Sequence, residues 1–286
     1  MPAPAVAATV VDLRARIASW RAAGERVALV PTMGALHPGH LSLVEQASKA
    51  ADRVVVSIFV NPTQFAPTED LATYPRDLDG DLAKLATVRT DLVFAPTPQE
   101  MYPDGAGTVV TVGGPSAGLE SDARPHFFAG VATVVSKLLI QVGPDVAVFG
   151  EKDFQQLAVI RRLVRDLHLP VEILSGATLR EDDGLAMSSR NVYLSPEDRQ
   201  RAPALHRALE RAAARIAAGE DADAALEEAR GEITAAGFVI DYVAHRDAAT
   251  LGQPQDGRPA RLLVAARIAR VRLIDNVPVS PKGQNP

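Results

Sequence analysis

Hydrophobic and polar positions in residues 1–178 follow two patterns that alternate along the chain. In one, apolar residues recur every three to four positions, as at Val10, Leu13, Ile17 and Trp20, which predicts an amphipathic helix. In the other, short apolar runs are continuous, which is typical of strands buried on both faces. Helices are predicted at 10–20, 39–47, 78–88, 131–142 and 157–167, and strands at 26–32, 53–60, 91–97, 144–150 and 171–178.

The alternation of strands and helices predicts the architecture of this region. A strand, a helix and a second strand at this spacing form a βαβ unit, and continuous apolar strands indicate a parallel sheet covered on both faces. We therefore expect residues 1–178 to form a Rossmann-like, doubly wound α/β domain. A Gly- and Pro-rich stretch with short β signals, at residues 98–125, separates the third and fourth strands of the prediction.

The pattern changes after residue 178. Ala- and Arg-rich helices are predicted at about 195–236, and strand-like segments follow at 238–247 and 261–277. Helices followed by hairpin-like strands indicate a separate α+β unit. We expect a smaller C-terminal α+β domain at residues 179–286.

Composition and charge exclude several classes of function. The 286 residues contain no cysteine, which removes disulfides, thiolate metal sites and cysteine nucleophiles. The net charge of -5 argues against a nucleic-acid partner, since such partners are bound by surplus Lys and Arg. The N-terminus does not resemble a signal peptide, and the sequence contains no run of 18 apolar residues. We therefore expect no membrane association and a cytoplasmic location.

The segment PTMGALHPGH follows the first long strand and opens the next helix. His37 and His40 could be metal ligands, packing residues or donors to phosphate. A zinc site needs further ligands nearby, whereas a strand-to-helix turn with glycines offers backbone N–H groups to an anion. Pro38, which lacks an N–H, suits the first turn of a helix that begins between the two histidines. Phosphate binding is the favoured interpretation.

Three other loops occupy equivalent positions after predicted strands: NPTQF, GEKDFQQ and AMSSRN. Lys152 is a cation suited to phosphate, and Gln64 and Gln156 are neutral groups suited to a hydroxyl or carboxyl substrate. Each has a simpler interpretation, as a solvated lysine or as loop caps. Together with the Ser-Ser-Arg of AMSSRN, they predict a nucleotide site. No P-loop and no dinucleotide-binding glycine motif is present.

The chain resembles the pantothenate synthetase family, whose HxGH motif and KMSKS-like loop place it in the nucleotidyltransferase superfamily. The resemblance is carried by PTMGALHPGH, VSIFVNPTQF, DLATYPRD, FGEKDFQQL, DGLAMSSRNVYLS and RLLVAARIARVRLIDN, in that order along essentially the whole chain. It implies ATP-dependent ligation of (R)-pantoate to β-alanine through a pantoyl adenylate, with release of AMP and diphosphate. It also implies Mg²⁺ on the phosphates and a homodimer.

The resemblance further implies the roles of individual residues. His40 is expected to be the general acid, and the other catalytic residues are His37, Lys152, Ser188, Ser189 and Arg190. ATP is expected to contact Met33, Gly34, Ala35, Leu36, His37, Pro38, Gly39, His40, Gly150, Glu151, Lys152, Asp153, Leu179, Met187, Ser188, Ser189 and Arg190. Pantoate is expected at Gln64, Gln156 and Arg124, and β-alanine beside Gln64.

The sequence departs from the family pattern at two points. Phe127 occupies a position where the family often has histidine, and the acidic pair that some members carry is reduced to Gly80-Asp81. Asp81 is the candidate magnesium ligand. Two other functions stay open from the residues alone: another adenylyltransferase that takes a phosphate substrate, and a nucleotide-sensing module without turnover. The first would surround its second substrate with cations, and the second would release no AMP.

Overall fold

Residues 3–66 and 70–280 are described by the structure, a computed structural model of the chain. The elements up to residue 176 are β1 (Ala5–Ala7), α1 (Val10–Ala22), β2 (Val27–Thr32), α2 (Pro38–Ala50), β3 (Arg53–Ile58), α3 (Leu78–Leu85), β4 (Leu92–Phe94), α4 (Pro98–Met101), α5 (Glu120–Ala123), α6 (Phe127–Val142), β5 (Val146–Gly150), α7 (Phe154–Asp166) and β6 (Glu172–Gly176). They are followed by α8 (Pro196–Arg201), α9 (Ala204–Ala217), α10 (Ala222–Ala235), β7 (Val239–Asp247), β8 (Ala260–Ile268) and β9 (Val271–Val279).

The first sheet has six strands in the order β1-β4-β3-β2-β5-β6, and every neighbouring pair is parallel. The chain runs outward from β2 through β3 to β4, and β5 and β6 then add on the other side of β2. The order therefore reverses between β2 and β5. In open parallel sheets, ligands bind beyond the carboxyl ends of the strands at this kind of reversal. The loop after β2 lies there.

Both faces of this sheet are covered, as the continuous apolar strands predicted. Ala28, Val30, Val54 and Val56 point to the face on which α2 and α3 pack. The alternate residues, such as Leu29, are fully buried as well, and α6 contacts β2. Because neighbouring residues of a strand face opposite sides, burial of both sets requires a layer of helices on each side.

The second sheet has three antiparallel strands in the order β7-β8-β9. Helices α9 and α10 pack on it, and their apolar faces form one core with the strands. Ser195 and Asp221 accept hydrogen bonds at the N-termini of α8 and α10, which explains where those helices begin. The predicted fold class, a doubly wound parallel sheet with a smaller α+β unit, is confirmed. No helix within residues 3–66 and 70–280 is long and apolar enough to cross a membrane.

Some local predictions were wrong. Strand β1 was not predicted, since its three residues are too short to show a pattern, yet it pairs with β4. The helix predicted at 157–167 ends one residue earlier, at Asp166, and Leu167 beyond it is 52% exposed. The stretch at 98–125 contains the short helices α4 and α5 and no strand.

The chain divides into two compact units. The first contains residues 1–113, 124–151 and 159–177, and the second contains 114–123, 152–158 and 178–286. The second unit therefore includes two short segments from the first 178 residues. The predicted domain bounds of 1–178 and 179–286 stay a prediction.

Candidate active site

The loop between β2 and α2 is held in a conformation that most residues avoid. Gly34 and Ala35 have φ angles of +82° and +50°. A left-handed alanine costs about 1–3 kcal/mol, so surrounding contacts must stabilise it. The Gly34 N–H donates to Thr32 Oγ1 at 3.2 Å, and that hydroxyl donates to the Ser57 carbonyl at 2.7 Å. A Cβ at Gly34 would lie 3.0 Å from Asp81 Oδ2 and 3.2 Å from Ile58 Cγ2, so a larger residue would have to displace these side chains.

Asp81 in the first turn of α3 supplies the stabilising contacts. Its carboxylate accepts the N–H of Ala35 on Oδ2 at 2.9 Å and the N–H of Leu36 on Oδ1 at 2.7 Å. Asp81 is 1% exposed, and the Lys84 ammonium lies 3.7 Å from Oδ1. A hydrogen bond to a charged group contributes about 1.5–3 kcal/mol, which is enough to offset the strain at Ala35. The carboxylate therefore holds two consecutive amides of the loop.

The two histidines contact each other at the start of α2. Their ring centroids are 4.0 Å apart, and the His37 N–H donates to His40 Nδ1 at 3.3 Å. Because Nδ1 accepts, a neutral His40 ring carries its proton on Nε2 and can donate from there. Helix α2 begins at Pro38 with His37 as its N-cap, so the prediction of a helix that begins between the histidines is confirmed.

The backbone of this loop differs from what the phosphate interpretation assumed. The amides of residues 34–37 all donate to side chains of the protein, on Thr32, Asp81 and His40. They are used to shape the loop. The groups that this segment offers to an anion are therefore the imidazoles and the first turn of α2, whose partial charge is positive.

A second group of predicted residues lies after β3. Asn61 is 1% exposed and donates from Nδ2 to Gln64 Oε1 at 3.0 Å and to the Gly130 carbonyl at 3.2 Å. Burial raises the pKa of Tyr102, whose neutral hydroxyl donates to Asn61 Oδ1 at 2.8 Å. Gln64 Nε2 donates to Met33 Sδ at 3.1 Å. The structure thus brings Met33 and Gln64 together, with the Gln64 amide oriented by Asn61.

Arg124 also contacts this group. Its Nη2 donates to the Gln64 carbonyl at 2.8 Å, and its guanidinium lies 4.0 Å from the centroid of the Phe127 ring. A cation over an aromatic face is an attractive arrangement. Phe127 therefore contacts the arginine that holds the Gln64 backbone.

Sequence reasoning missed Asn61 and Tyr102. Asn61 stands in NPTQF, and its side chain accepts from the Thr63 N–H. An Asn-Pro-Thr sequence after a strand is a signal for such a turn. Tyr102 follows α4 and carries no sequence signal that would link it to Asn61, 41 residues away.

In the second unit, Lys152 lies in a short 3₁₀ segment, Glu151–Asp153. Its carbonyl accepts from Asn276 Nδ2 at 2.9 Å, which ties the segment to β9. The next residues begin α7, where Gln155 is 5% exposed and bonded to the Glu120 N–H and to the carbonyls of residues 115 and 118. Gln156 is half-buried. The predicted residue Gln156 therefore follows Gln155, whose side-chain amide holds residues 115–120 against α7.

The loop at residues 179–190 forms a small ladder of its own. The Met187 N–H donates to the Leu179 carbonyl at 3.0 Å, so these two predicted residues are adjacent. Arg180 forms a two-pronged ion pair with Asp275, at 2.7 and 2.9 Å. The Ser188 hydroxyl accepts from the Arg190 N–H at 3.3 Å and caps a 3₁₀ segment, Ser189–Tyr193. The structure therefore groups Leu179 with residues 187–190.

The predicted site residues belong to both units. Those of the first unit are Met33, Gly34, Ala35, Leu36, His37, Pro38, Gly39, His40, Gln64, Asp81, Arg124, Gly150 and Glu151. Those of the second are Lys152, Asp153, Gln156, Leu179, Met187, Ser188, Ser189 and Arg190.

No group of three or more His, Asp or Glu side chains within the described part of the chain could hold a metal ion. Both oxygens of Asp81, the predicted magnesium contact, accept backbone amides. The described residues therefore do not form a protein cage for Mg²⁺, and the assignment of Asp81 as its ligand stays a prediction.

A cavity of about 650 Å³ lies in the second unit. Its wall includes Arg230, Arg246 and Arg267, but none of the predicted site residues. Arg230 donates to the Val243 carbonyl, and Arg267 lies 3.5 Å from Asp241. These two arginines therefore have partners within the unit, and the cavity is separate from the predicted site residues.

The model of the pantoate-beta-alanine ligase family matches residues 5–278. The chain belongs to this family. The resemblance stated from the sequence motifs is thereby confirmed.

Relatives and solved structures of the family match over nearly their whole lengths. Pantothenate synthetases from Bradyrhizobium sp. and Mesorhizobium japonicum are each 57% identical over 280 residues, covering 96% and 98% of this chain and 99% of each relative. A pantothenate synthetase from Thermus thermophilus superposes with a TM-score of 0.91 at 48% identity, covering 97% of this chain and 100% of that one.

A second solved structure is of a pantoate-beta-alanine ligase in complex with small molecules. The pantoate-beta-alanine ligase from Francisella tularensis, solved with beta-gamma ATP and beta-alanine, superposes with a TM-score of 0.82 at 35% identity. It covers 96% of this chain and 97% of its own. ATP and β-alanine are two of the three substrates that the resemblance to this family implied.

Proposed function

We propose that the chain ligates (R)-pantoate to β-alanine at the expense of ATP, and so makes pantothenate. The match of the pantoate-beta-alanine ligase family to residues 5–278 carries this proposal. The reaction runs in two steps. A pantoate carboxylate oxygen attacks the α-phosphorus of ATP and diphosphate leaves. The amine of β-alanine then attacks the acyl carbon of pantoyl adenylate, and AMP leaves.

His40 and His37 stabilise the first transition state. Negative charge builds on the phosphoryl oxygens and on the departing diphosphate, and a preorganised donor aimed at such charge contributes about 3–4 kcal/mol. The His37 N–H fixes the His40 ring with Nε2 as its donor, at the carboxyl end of β2. This supports His40 as the general acid and the main donor of the pair.

Gln64 binds pantoate through its side-chain amide. Asn61 occupies Gln64 Oε1, so the orientation of the amide is fixed and Nε2 is the group available to a substrate oxygen. Its present acceptor, the Met33 sulfur, is weak and easily replaced. A neutral amide suits a hydroxyl or carboxyl group. This favours pantoate over the phosphate substrate of another adenylyltransferase, which would need cations.

The second unit provides further proposed contacts. Lys152, Ser188, Ser189 and Arg190 are proposed to bind phosphate oxygens, and Leu179 and Met187 the nucleotide. The hydroxyl of Ser188 accepts from the Arg190 amide and keeps its own proton to donate. Gln156 is proposed to bind pantoate. Gly150, Glu151 and Asp153 are proposed to contact ATP, and Arg124 to bind substrate beside Gln64.

The second step needs little acid or base catalysis. AMP is a good leaving group, and most of the rate comes from holding the β-alanine amine against the activated carbonyl. β-Alanine is proposed to bind beside Gln64.

Magnesium and a homodimer belong to the same proposal. Mg²⁺ usually keeps several waters and binds through substrate phosphates, which fits described residues that form no protein cage for it. It would neutralise charge on the phosphates. The proposed roles of His40, His37 and Gln64 do not depend on where Mg²⁺ binds.

The products test this function. Purified protein supplied with ATP, pantoate and β-alanine should form AMP and pantothenate in equal amounts, and neither product when pantoate is omitted. Formation of ADP would indicate an acyl phosphate and contradict the proposed adenylate. A nucleotide-sensing module would bind ATP and release no AMP.

A further inference from the structure

Asp81 joins two elements that are far apart in the sequence. It lies in the first turn of α3, 45 residues after Leu36, and its buried carboxylate accepts the amides of Ala35 and Leu36 at 2.9 and 2.7 Å. Its neighbour Asp79 lies in the same turn but is exposed. The buried aspartate is thus directed at the loop that follows β2, and the exposed one is not.

The carboxylate matches the unusual backbone of this loop. With Gly34 and Ala35 both in the left-handed region, the N–H groups of Ala35 and Leu36 converge on one anion, as in an anion-binding nest. Without that anion, these two amides would lack an acceptor. The loop would then relax at Ala35, and His37 and His40, which follow directly, would move with it.

We propose that Asp81 is a positioning residue, which holds the loop of residues 33–40 in the form that binds ATP and does not ligate Mg²⁺. This inference rests on the proposed function of that loop. Asp81 acts through the amides of Ala35 and Leu36, and both of its oxygens are engaged by them. The Lys84 ammonium lies 3.7 Å from Asp81 Oδ1. A metal ion bound to that oxygen would therefore be repelled by a nearby positive charge.

The test compares Asp81→Asn with Asp79→Asn. The asparagine side chain would present one oxygen and one NH₂ group to two N–H donors, so one of the two amides would face a donor. The control makes the same chemical change in the same helical turn, at an exposed position. We would measure the dissociation constant of a non-hydrolysable ATP analogue by calorimetry, its dependence on Mg²⁺, and amide hydrogen exchange in residues 33–40.

We expect Asp81→Asn to weaken analogue binding about tenfold or more. We also expect it to speed exchange at Ala35 and Leu36 and to leave the half-saturating Mg²⁺ concentration unchanged. Asp79→Asn should match the wild type in all three. Gly34→Ala, whose Cβ would lie 3.0 Å from Asp81 Oδ2, disturbs the same contact without altering α3 and should give the same changes. It keeps the test decisive if Asp81→Asn does not fold.

Three results would overturn the proposal. Recovery of affinity at high Mg²⁺ would make Asp81 a metal ligand. A lower melting temperature with unchanged affinity and unchanged exchange in the loop would make it a purely structural residue. If Asp81→Asn and Asp79→Asn gave the same affinity and the same exchange rates, Asp81 would not position the loop. Failure of the proposed ligase reaction is a separate result, since it would appear in the wild type as a lack of AMP formation.

Discussion

At the residue scale, the chemistry depends on which atom of each side chain is already used by the protein. His40 Nδ1 accepts a backbone amide, so its Nε2 is the donor. Gln64 Oε1 accepts from Asn61, so Nε2 is the group that we propose binds the substrate. The sequence predicted the residue types. It did not predict which atom of each side chain is already hydrogen-bonded, since that depends on a partner that only the folded chain supplies.

His40→Asn tests the donor at Nε2. Asparagine is too short to reach where Nε2 lies, and the loss of one such donor lowers the rate about 10²- to 10³-fold. We expect this loss in the rate of AMP formation, with a melting temperature close to that of the wild type. His168→Asn is the control, because His168 is exposed and its φ of +51° is one that asparagine tolerates. A near-native rate for His40→Asn would remove His40 from the mechanism.

The sequence predicted which segments carry the site better than how they are held. His37, His40 and Gln64 were identifiable because they follow apolar strands, and the carboxyl ends of parallel strands share one edge. The contact between Asp81 and the loop could not be predicted, since 45 residues separate Asp81 from Leu36. Arg124 likewise reaches the Gln64 carbonyl across 60 residues. Such long-range contacts leave no periodic signal.

At the element scale, the close approach of α6 to the 3₁₀ turn Pro62–Gln64 sets the position of Gln64. A Cβ at Gly130 would lie 2.5 Å from the Thr63 carbonyl oxygen and 2.9 Å from the Gln64 amide nitrogen. Both are backbone atoms and cannot move aside as a flexible side chain would. Glycine at this point of α6 therefore allows the close approach that sets the position of Gln64.

Gly130→Ala should displace this turn. We expect a loss of about 1–3 kcal/mol in the free energy of unfolding by urea, as for overpacking elsewhere, and a higher KM for pantoate. Gly231→Ala, also in a helix but with nothing within 4 Å of its Cβ, should gain up to about 1 kcal/mol and keep the KM. An unchanged pantoate KM in Gly130→Ala would show that this contact does not position Gln64.

Helix α9 carries a pH-dependent contribution to stability. Burial, and then the nearby Arg180, lower the pKa of His206 below its usual value, although Asp275 and Glu210 oppose the shift. The unfolded chain therefore binds this proton at a higher pH than the folded chain. The stabilisation is complete above the unfolded pKa of about 6.5 and is lost as the pH falls through the folded pKa.

His206→Gln tests this contribution. Between about pH 7.5 and 5.5, a range that spans the usual histidine pKa, we expect the urea midpoint of the wild type to fall, and that of His206→Gln to fall less. Part of the fall should remain, because burial and Arg246 lower the pKa of His245 as well. The same slope in His206→Gln and the wild type would contradict the assignment.

In the whole molecule, the sequence predicted two regions that differ in their order of strands and helices, and it predicted the sheet in each. It did not predict that residues 114–123 and 152–158 would group with the second unit. They do so because Leu119 and Phe154 share a buried hydrophobic cluster with Ala244, Leu251 and Leu263, and because Glu120 pairs with Arg272 at 2.7 and 2.9 Å. These contacts join segments that are far apart in the sequence, which local hydrophobic periodicity does not reveal.

Isotope exchange shows whether the chain forms pantoyl adenylate. With pantoate present and β-alanine absent, labelled diphosphate should enter ATP, because the first step is reversible while the second cannot proceed. Without pantoate, no label should appear. Exchange that does not depend on pantoate, or no exchange in protein that still makes pantothenate, would contradict the adenylate mechanism.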